Sequence, residues 1–192
     1  MRTLPNAISL ARALAVVPVV LLVAQPALVP WALVVFGIAA LTDAVDGPLA
    51  RRMGATTPLG AFLDPLADKL LVLGALVALL GQDAVDALLV GVFVVRELVV
   101  TAVRALAVVR GRSVGSSAYG RAKAALQSVA VGGQLLAFAR PDLGATPAAD
   151  VLLVVAAAVT VATGAGVIRR GLAEAGIRAV AVTPAHAMKG GR

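Results

Sequence analysis

Four aspartates lie within two long apolar stretches of the chain, where ionised side chains are unexpected. Asp43 and Asp46 are three residues apart, and Asp64 and Asp68 are four residues apart. In a helix, both spacings place the two side chains of a pair on one face. A turn at residues 53–58 would let the two helices pack antiparallel, so that the pairs converge near one end. Because a carboxylate within a bilayer costs about 3 kcal/mol on insertion scales, such residues indicate function. A purely structural ion pair with Arg or Lys would explain one such aspartate, but not four at these spacings.

The chemistry that this cluster favours is metal-assisted transfer at phosphorus. Clustered anions repel one another unless cations join them, and all-oxygen ligation suits Mg²⁺ or Mn²⁺ rather than Zn²⁺. Four carboxylates on two helices predict two ions about 4 Å apart, which is the arrangement used for in-line displacement. Gly47, Ala50 and Gly60 leave room for a ligand, and Arg51 can donate paired hydrogen bonds to a phosphate.

Composition limits the alternatives. The chain has 192 residues, of which 60% are hydrophobic and 14% charged, against roughly 45–50% and 25% in soluble domains. It has no cysteine and one histidine, His186, which excludes disulfides, thiolate nucleophiles and His-rich metal sites. A net charge of +7 without aromatic platforms favours anionic lipid over nucleic acid as the partner.

The apolar segments predict an all-α polytopic membrane protein with six transmembrane helices of the length needed to cross a bilayer. We place these spans at 9–24, 31–52, 59–81, 84–110, 119–139 and 148–168. Residues 1–170 form one predicted domain, and 171–192 a flexible cytoplasmic tail. A cleavable signal peptide is the alternative for residues 1–27, but its basic flank is weak and further spans follow.

The distribution of basic residues predicts that both termini are cytoplasmic. With that orientation, nearly all Arg and Lys residues outside the spans lie on the cytoplasmic side, and the opposite side receives only Arg140 together with several aspartates. Such an asymmetry is typical of membrane proteins and requires an even number of spans.

The aspartates also belong to a longer pattern, Asp43-x2-Asp46-Gly47-x2-Ala50-Arg51-x8-Gly60-x3-Asp64-x3-Asp68. At every fixed position this resembles the signature of the CDP-alcohol phosphotransferase family. The resemblance implies six spans, cytoplasmic termini and a homodimer. It implies that Asp43, Asp46 and Asp64 are metal ligands and that Asp68 is both a ligand and the general base. Gly47, Ala50, Arg51 and Gly60 would then shape the CDP pocket.

Two further segments resemble the phosphatidylglycerophosphate synthase branch of that family. They are Arg96-Glu97-Leu98-x2-Thr101-x2-Arg104, where Leu98 replaces the usual Phe, and Gly120-Arg121-x-Lys123 with Gln127. An acceptor that carries its own phosphate needs cations near the metal site, and we assign this role to Arg96, Arg104, Arg121 and Lys123. Two alternatives stay open: an ion pair between Arg96 and Glu97, and snorkelling of each cation to the interface.

The resemblance implies transfer of the phosphatidyl group from CDP-diacylglycerol to glycerol 3-phosphate in a bacterial cytoplasmic membrane, at a site that faces the cytoplasm. Another acceptor would make the chain a cardiolipin synthase or a phosphatidylinositol-phosphate synthase. A membrane carrier that uses intramembrane carboxylates is the alternative from another class, although the paired repeats typical of transporters are not apparent.

Overall fold

The computed structural model describes the backbone of residues 3–52, 58–109 and 118–174, and the side chains of residues 11–42, 69–103, 105–106, 109 and 122–169. Within these ranges every regular element is helical, and no strand occurs. The predicted all-α class is therefore confirmed. Residues 53–57 of the predicted turn and most of the predicted tail lie outside the described residues.

Six long helices account for most of the described chain. They are α1 (Thr3–Val23), α2 (Val29–Arg52), α3 (Pro58–Leu80), α4 (Ala87–Val109), α5 (Ala118–Ala139) and α6 (Thr146–Glu174). Short 3₁₀ turns at Pro26–Leu28 and Pro141–Leu143 precede α2 and α6. Each helix overlaps one predicted span, and α6 continues six residues beyond the predicted end at Ile168.

The connection between α3 and α4 shows why the predicted ends differ from the observed ones. Asp83 has a φ of 54°, and the Ala84 amide donates to the Leu79 carbonyl at 3.0 Å, a Schellman arrangement that ends α3. The Asp86 carboxylate then accepts hydrogen bonds from the amides of Leu88 at 2.7 Å and Leu89 at 3.3 Å. This N-cap starts α4 at Ala87, three residues after the predicted start.

Packing places α1 against both α2 and α3, while α5 lies against α2 and α6, and α4 lies against α6. Among the described residues, α3 contacts α1 far more than α2. One close approach explains that pairing, since a Cβ added at Gly74 would lie 2.7 Å from the Val16 side chain. The buried core combines Phe36, Leu76 and Phe93 with smaller residues from all six helices.

The described side chains combine an apolar core with an outer surface that is also apolar. Every helix exposes at least one large apolar residue, for example Leu21, Ile38, Val77, Leu98, Val129 and Val151. The buried set, in contrast, includes Arg12, Glu97, Lys123, Gln127, Gln134 and Thr160. Soluble proteins rarely expose apolar residues on all sides while burying charges.

By length and composition, one helix within the described ranges, Thr146–Arg169, can cross a membrane. Shorter apolar helical segments within the same ranges are Ala11–Val23, Pro26–Thr42 and Lys69–Leu80, each of which begins or ends where the described side chains do.

Candidate functional site

Glu97, on α4, is the centre of a charge cluster that joins three helices. Its Oε2 lies 3.2 Å from Lys69 Nζ on α3. Its Oε1 accepts a hydrogen bond from Arg96 Nη1 at 2.5 Å and another from Lys123 Nζ on α5. The Glu97 side chain is only 6% exposed. A single carboxylate therefore connects α3, α4 and α5 deep inside the bundle.

Arg96 is fixed by α6 as well as by Glu97. Its Nε donates to the Thr160 carbonyl at 2.8 Å, and its Nη2 lies 3.4 Å from the Thr163 hydroxyl. The guanidinium passes close to Gly164, where an added Cβ would lie 2.8 Å from Arg96 Nε. All three nitrogens of Arg96 thus have partners, and the absence of a side chain at Gly164 is what lets the guanidinium lie there.

Two threonines support the rest of the cluster at different depths. At the exposed side, Lys69 Nζ donates to the Thr101 hydroxyl at 2.6 Å. Inside the bundle, Gln127 Nε2 donates to the Thr160 hydroxyl at 3.0 Å. Thr160 therefore accepts from Arg96 through its carbonyl and from Gln127 through its hydroxyl, which ties α6 to both α4 and α5.

The cluster carries more positive than negative charge. Lys69, Arg96 and Lys123 surround one carboxylate, so two positive charges are left over among the described side chains. Buried surplus charge is costly unless an anion joins it. The lysines are the groups able to receive one, because an ammonium has three donors and that of Lys69 is 24% exposed. The arrangement is suited to binding a phosphate monoester dianion.

The predicted metal ligands lie on continuous helices. α2 includes Asp43 and Asp46, and α3 includes Asp64 and Asp68. The helical spacings on which the prediction of two carboxylate pairs rests are therefore present. Their side chains, and those of Gly47, Ala50, Arg51 and Gly60, lie outside the described residues. Lys69 directly follows Asp68, so the charge cluster begins next to the predicted base.

Of the four cations predicted to bind the acceptor, the structure brings two together. Arg96 and Lys123 both contact Glu97, which is the ion pair considered above for Arg96. The side chains of Arg104 and Arg121 lie outside the described residues. Leu98 is 64% exposed, so replacement of the usual Phe by Leu falls on the outer surface of α4, away from the cluster.

The contribution of α6 was not anticipated. Thr160, Thr163 and Gly164 are spaced three and four residues apart, so they share one face of an otherwise apolar helix. That small polar face was the available signal, since small and hydroxyl-bearing residues are typical of helix contacts inside membranes. Lys69, the residue after Asp68, is likewise not among the predicted site residues.

Comparison with known proteins gives consistent results. The family model for CDP-alcohol phosphatidyltransferase matches residues 2–162. A CDP-diacylglycerol–glycerol-3-phosphate 3-phosphatidyltransferase of Bacillus subtilis is 41% identical over 131 residues, 68% of each chain. A probable phosphatidylglycerophosphate synthase of Mycobacterium tuberculosis is 38% identical over 148 residues, which is 77% of this chain and 68% of the relative. A Pseudomonas fluorescens 3-phosphatidyltransferase is 43% identical over 107 residues, 53% of this chain and 54% of the relative.

Proposed function

Because the chain belongs to the CDP-alcohol phosphatidyltransferase family, we propose that it transfers the phosphatidyl group of CDP-diacylglycerol to sn-glycerol 3-phosphate. The products are phosphatidylglycerophosphate and CMP, which places the enzyme in phospholipid biosynthesis. The relatives whose names specify this donor and acceptor support the choice. Membership of a transferase family also argues against the carrier alternative.

The surplus positive charge around Glu97 is the observation that carries the choice of acceptor. An uncharged alcohol would leave two positive charges without a partner among the described side chains, whereas the phosphate of glycerol 3-phosphate balances them. Lys69 and Lys123 supply the donors that face this phosphate. Arg104 and Arg121 are proposed to complete the site from the ends of α4 and α5.

The donor site is proposed to lie at the four aspartates. CDP-alcohol phosphotransferases generally use divalent metal ions, and the all-carboxylate donor set of Asp43, Asp46, Asp64 and Asp68 fits Mg²⁺ or Mn²⁺. Such ions, two in our proposal, would offset charge on the diphosphate.

Gly47, Ala50 and Gly60 would let the cytidine diphosphate group approach the backbone of α2 and α3. Arg51 would donate to a phosphate oxygen.

In the transfer step, Asp68 acts on the acceptor's hydroxyl and the cations bind the acceptor's phosphate. The acceptor hydroxyl oxygen forms a bond to the phosphorus that carries diacylglycerol, and the bond from that phosphorus to the CMP oxygen breaks. Asp68 takes the hydroxyl proton as general base. Because Lys69 is the next residue, the group that binds the acceptor's phosphate and the base that serves its hydroxyl belong to one turn of α3.

The same proposal places the enzyme in a bacterial cytoplasmic membrane. Exposed apolar residues on all six helices suit contact with lipid chains, and the basic residues outside the helices favour cytoplasmic termini. Residues 1–170 would form the membrane domain, residues 171–192 a cytoplasmic tail, and the active site would face the cytoplasm. A homodimer is implied by the family resemblance and stays a prediction.

Release of CMP by the purified protein tests the proposal. The full chain in detergent with CDP-diacylglycerol and Mg²⁺ would be given glycerol 3-phosphate, inositol phosphate, phosphatidylglycerol or glycerol, one at a time. We expect turnover with glycerol 3-phosphate, none after chelation of the metal, and a loss of about 100-fold or more in kcat for Asp68→Asn. Asp142→Asn, an exposed position on the α5–α6 connection, is the matched control and should keep full activity.

Each contrary result points to a different error. Turnover with phosphatidylglycerol or inositol phosphate in place of glycerol 3-phosphate would change the acceptor and keep the site. Turnover with glycerol alone would remove the phosphate-binding role of the cluster. No CMP release with any acceptor and any divalent metal would overturn the enzymatic proposal.

A further inference from the structure

Glu97 contacts every described cation of the proposed acceptor site, yet as an anion it cannot itself bind a phosphate. Its carboxylate accepts from Lys123 and Arg96 and lies 3.2 Å from Lys69. Without it, three cations from α3, α4 and α5 would repel one another at close range inside the bundle. The position of the lysines therefore depends on this carboxylate.

The three cations are held to different degrees. Arg96 has a partner for each of its nitrogens, on Glu97 and α6, and its side chain is 11% exposed. Lys69 is the most exposed, and its described contacts are Glu97 and Thr101. Because all three of its nitrogens have protein partners, Arg96 serves as an anchor. The described contacts of Lys69 and Lys123 are fewer, and these lysines serve as the groups that meet the acceptor.

We propose that Glu97 is a positioning residue, which holds the ammonium groups of Lys69 and Lys123 where they meet the acceptor's phosphate, and that α6 fixes Glu97 through Arg96. This inference rests on the proposed function for the identity of the acceptor. It removes Arg96 from the groups that bind the phosphate directly. It also gives α6, which carries none of the predicted site residues, a role in acceptor affinity.

The chain provides a matched pair of substitutions that reaches this network without touching a charge. Gly164→Ala would bring a methyl group to 2.8 Å from Arg96 Nε, so the guanidinium must shift and Glu97 with it. Gly166→Ala, two residues along the same helix, meets nothing within 4 Å. Both changes replace glycine by alanine in α6 and have the same effect on helix propensity, so the difference between them reports the displacement of Arg96.

The experiment measures kcat and the KM of each substrate separately, using the full chain in detergent micelles with Mg²⁺. The variants are Glu97→Gln, Glu97→Asp, Gly164→Ala and Gly166→Ala. For Glu97→Gln we expect the KM for glycerol 3-phosphate to rise about tenfold or more, with the KM for CDP-diacylglycerol within about twofold of wild type. Glu97→Asp keeps the charge and should recover part of the loss. Gly164→Ala should raise the same KM by a smaller factor, and Gly166→Ala should not change it.

The outcomes separate this inference from the proposed function. A fall in the KM for glycerol 3-phosphate in Glu97→Gln would show that the carboxylate competes with the phosphate, and would overturn the positioning role. Equal rises in the KM values for both substrates would also overturn it. So would an equal KM for glycerol 3-phosphate in Gly164→Ala and Gly166→Ala. This pair of variants tests the inference even if Glu97→Gln does not fold. Wild-type enzyme that used only an uncharged acceptor would instead overturn the proposed acceptor, and this inference with it.

Discussion

Two ion-pair systems in this chain differ mainly in their burial. The Glu97 cluster has a carboxylate that is 6% exposed and joins three helices. Arg140 and Asp142, on the connection between α5 and α6, also form a close pair, with two hydrogen bonds of 2.9 and 2.8 Å. Their side chains are 56% and 60% exposed.

The difference shows that the contribution of an ion pair to stability does not depend on its geometry alone. The exposed pair has the better local geometry, with both carboxylate oxygens bonded to one guanidinium, but water competes for every contact. The carboxylate at the centre of the Glu97 cluster is shielded from water, so it depends on its three cations. We therefore expect the buried cluster to matter for function, and we expect the exposed pair to contribute little to the stability of the fold.

The largest effect on stability is expected from truncating the buried carboxylate. Glu97→Ala leaves Lys69, Arg96 and Lys123 without their shared counter-ion and should destabilise the fold by about 3–5 kcal/mol. The midpoint of thermal unfolding of the detergent-solubilised protein should fall accordingly. A midpoint equal to that of wild type would mean that the cluster is hydrated in solution and that the contrast drawn here is wrong.

A smaller effect on stability is expected from removing the Thr160 hydroxyl of α6, which accepts a hydrogen bond from Gln127 of α5. Thr160→Val keeps the side-chain volume and the carbonyl that binds Arg96, but it leaves the Gln127 amide without its described acceptor. The cost should be about 1–3 kcal/mol, measured by the same unfolding midpoint.

Thr101→Val is the matched control for that substitution. It removes a hydrogen bond from Lys69 at an exposed position, where water can replace the lost acceptor, so its midpoint should change less. If both substitutions had the same effect, burial would not be the deciding variable within the cluster.

The smallest effect is expected at the exposed pair. The hydrogen bond from Arg140 lowers the pKa of the Asp142 carboxyl in the folded protein. Any stabilisation by this pair is therefore fully present above the pKa that Asp142 has in the unfolded chain, and it is lost as the pH falls through the lower pKa of the folded protein. Asp142→Asn should leave the unfolding midpoint unchanged at neutral pH, and about 1 M salt should remove any residual difference from wild type. A clear loss at neutral pH would show that this pair stabilises the connection after all.

The helices were predictable because each is a long apolar segment bounded by turn residues. The predicted ends at 81 and 84 differ from the observed ones because local hydrogen bonds decide them. Asp83 adopts a left-handed conformation that glycine more often provides, and Asp86 caps α4. Hydrophobicity alone continues through such residues, so the helix ends depend on capping interactions that a count of apolar residues does not register.

The sequence by itself determined the helical class, the family and the two aspartate pairs, because these depend on composition and on spacing along one or two adjacent helices. It also predicted a shared role for Arg96 and Lys123 and left open an ion pair between Arg96 and Glu97. Only the tertiary structure decided that Glu97 is shared by cations from three helices and that Gly164 makes room for Arg96. The hydrogen bonds that join helices in this cluster connect residues 26 to 67 positions apart. Helical periodicity orders neighbours within a helix but does not fix which faces of distant helices meet, and that choice is made by packing.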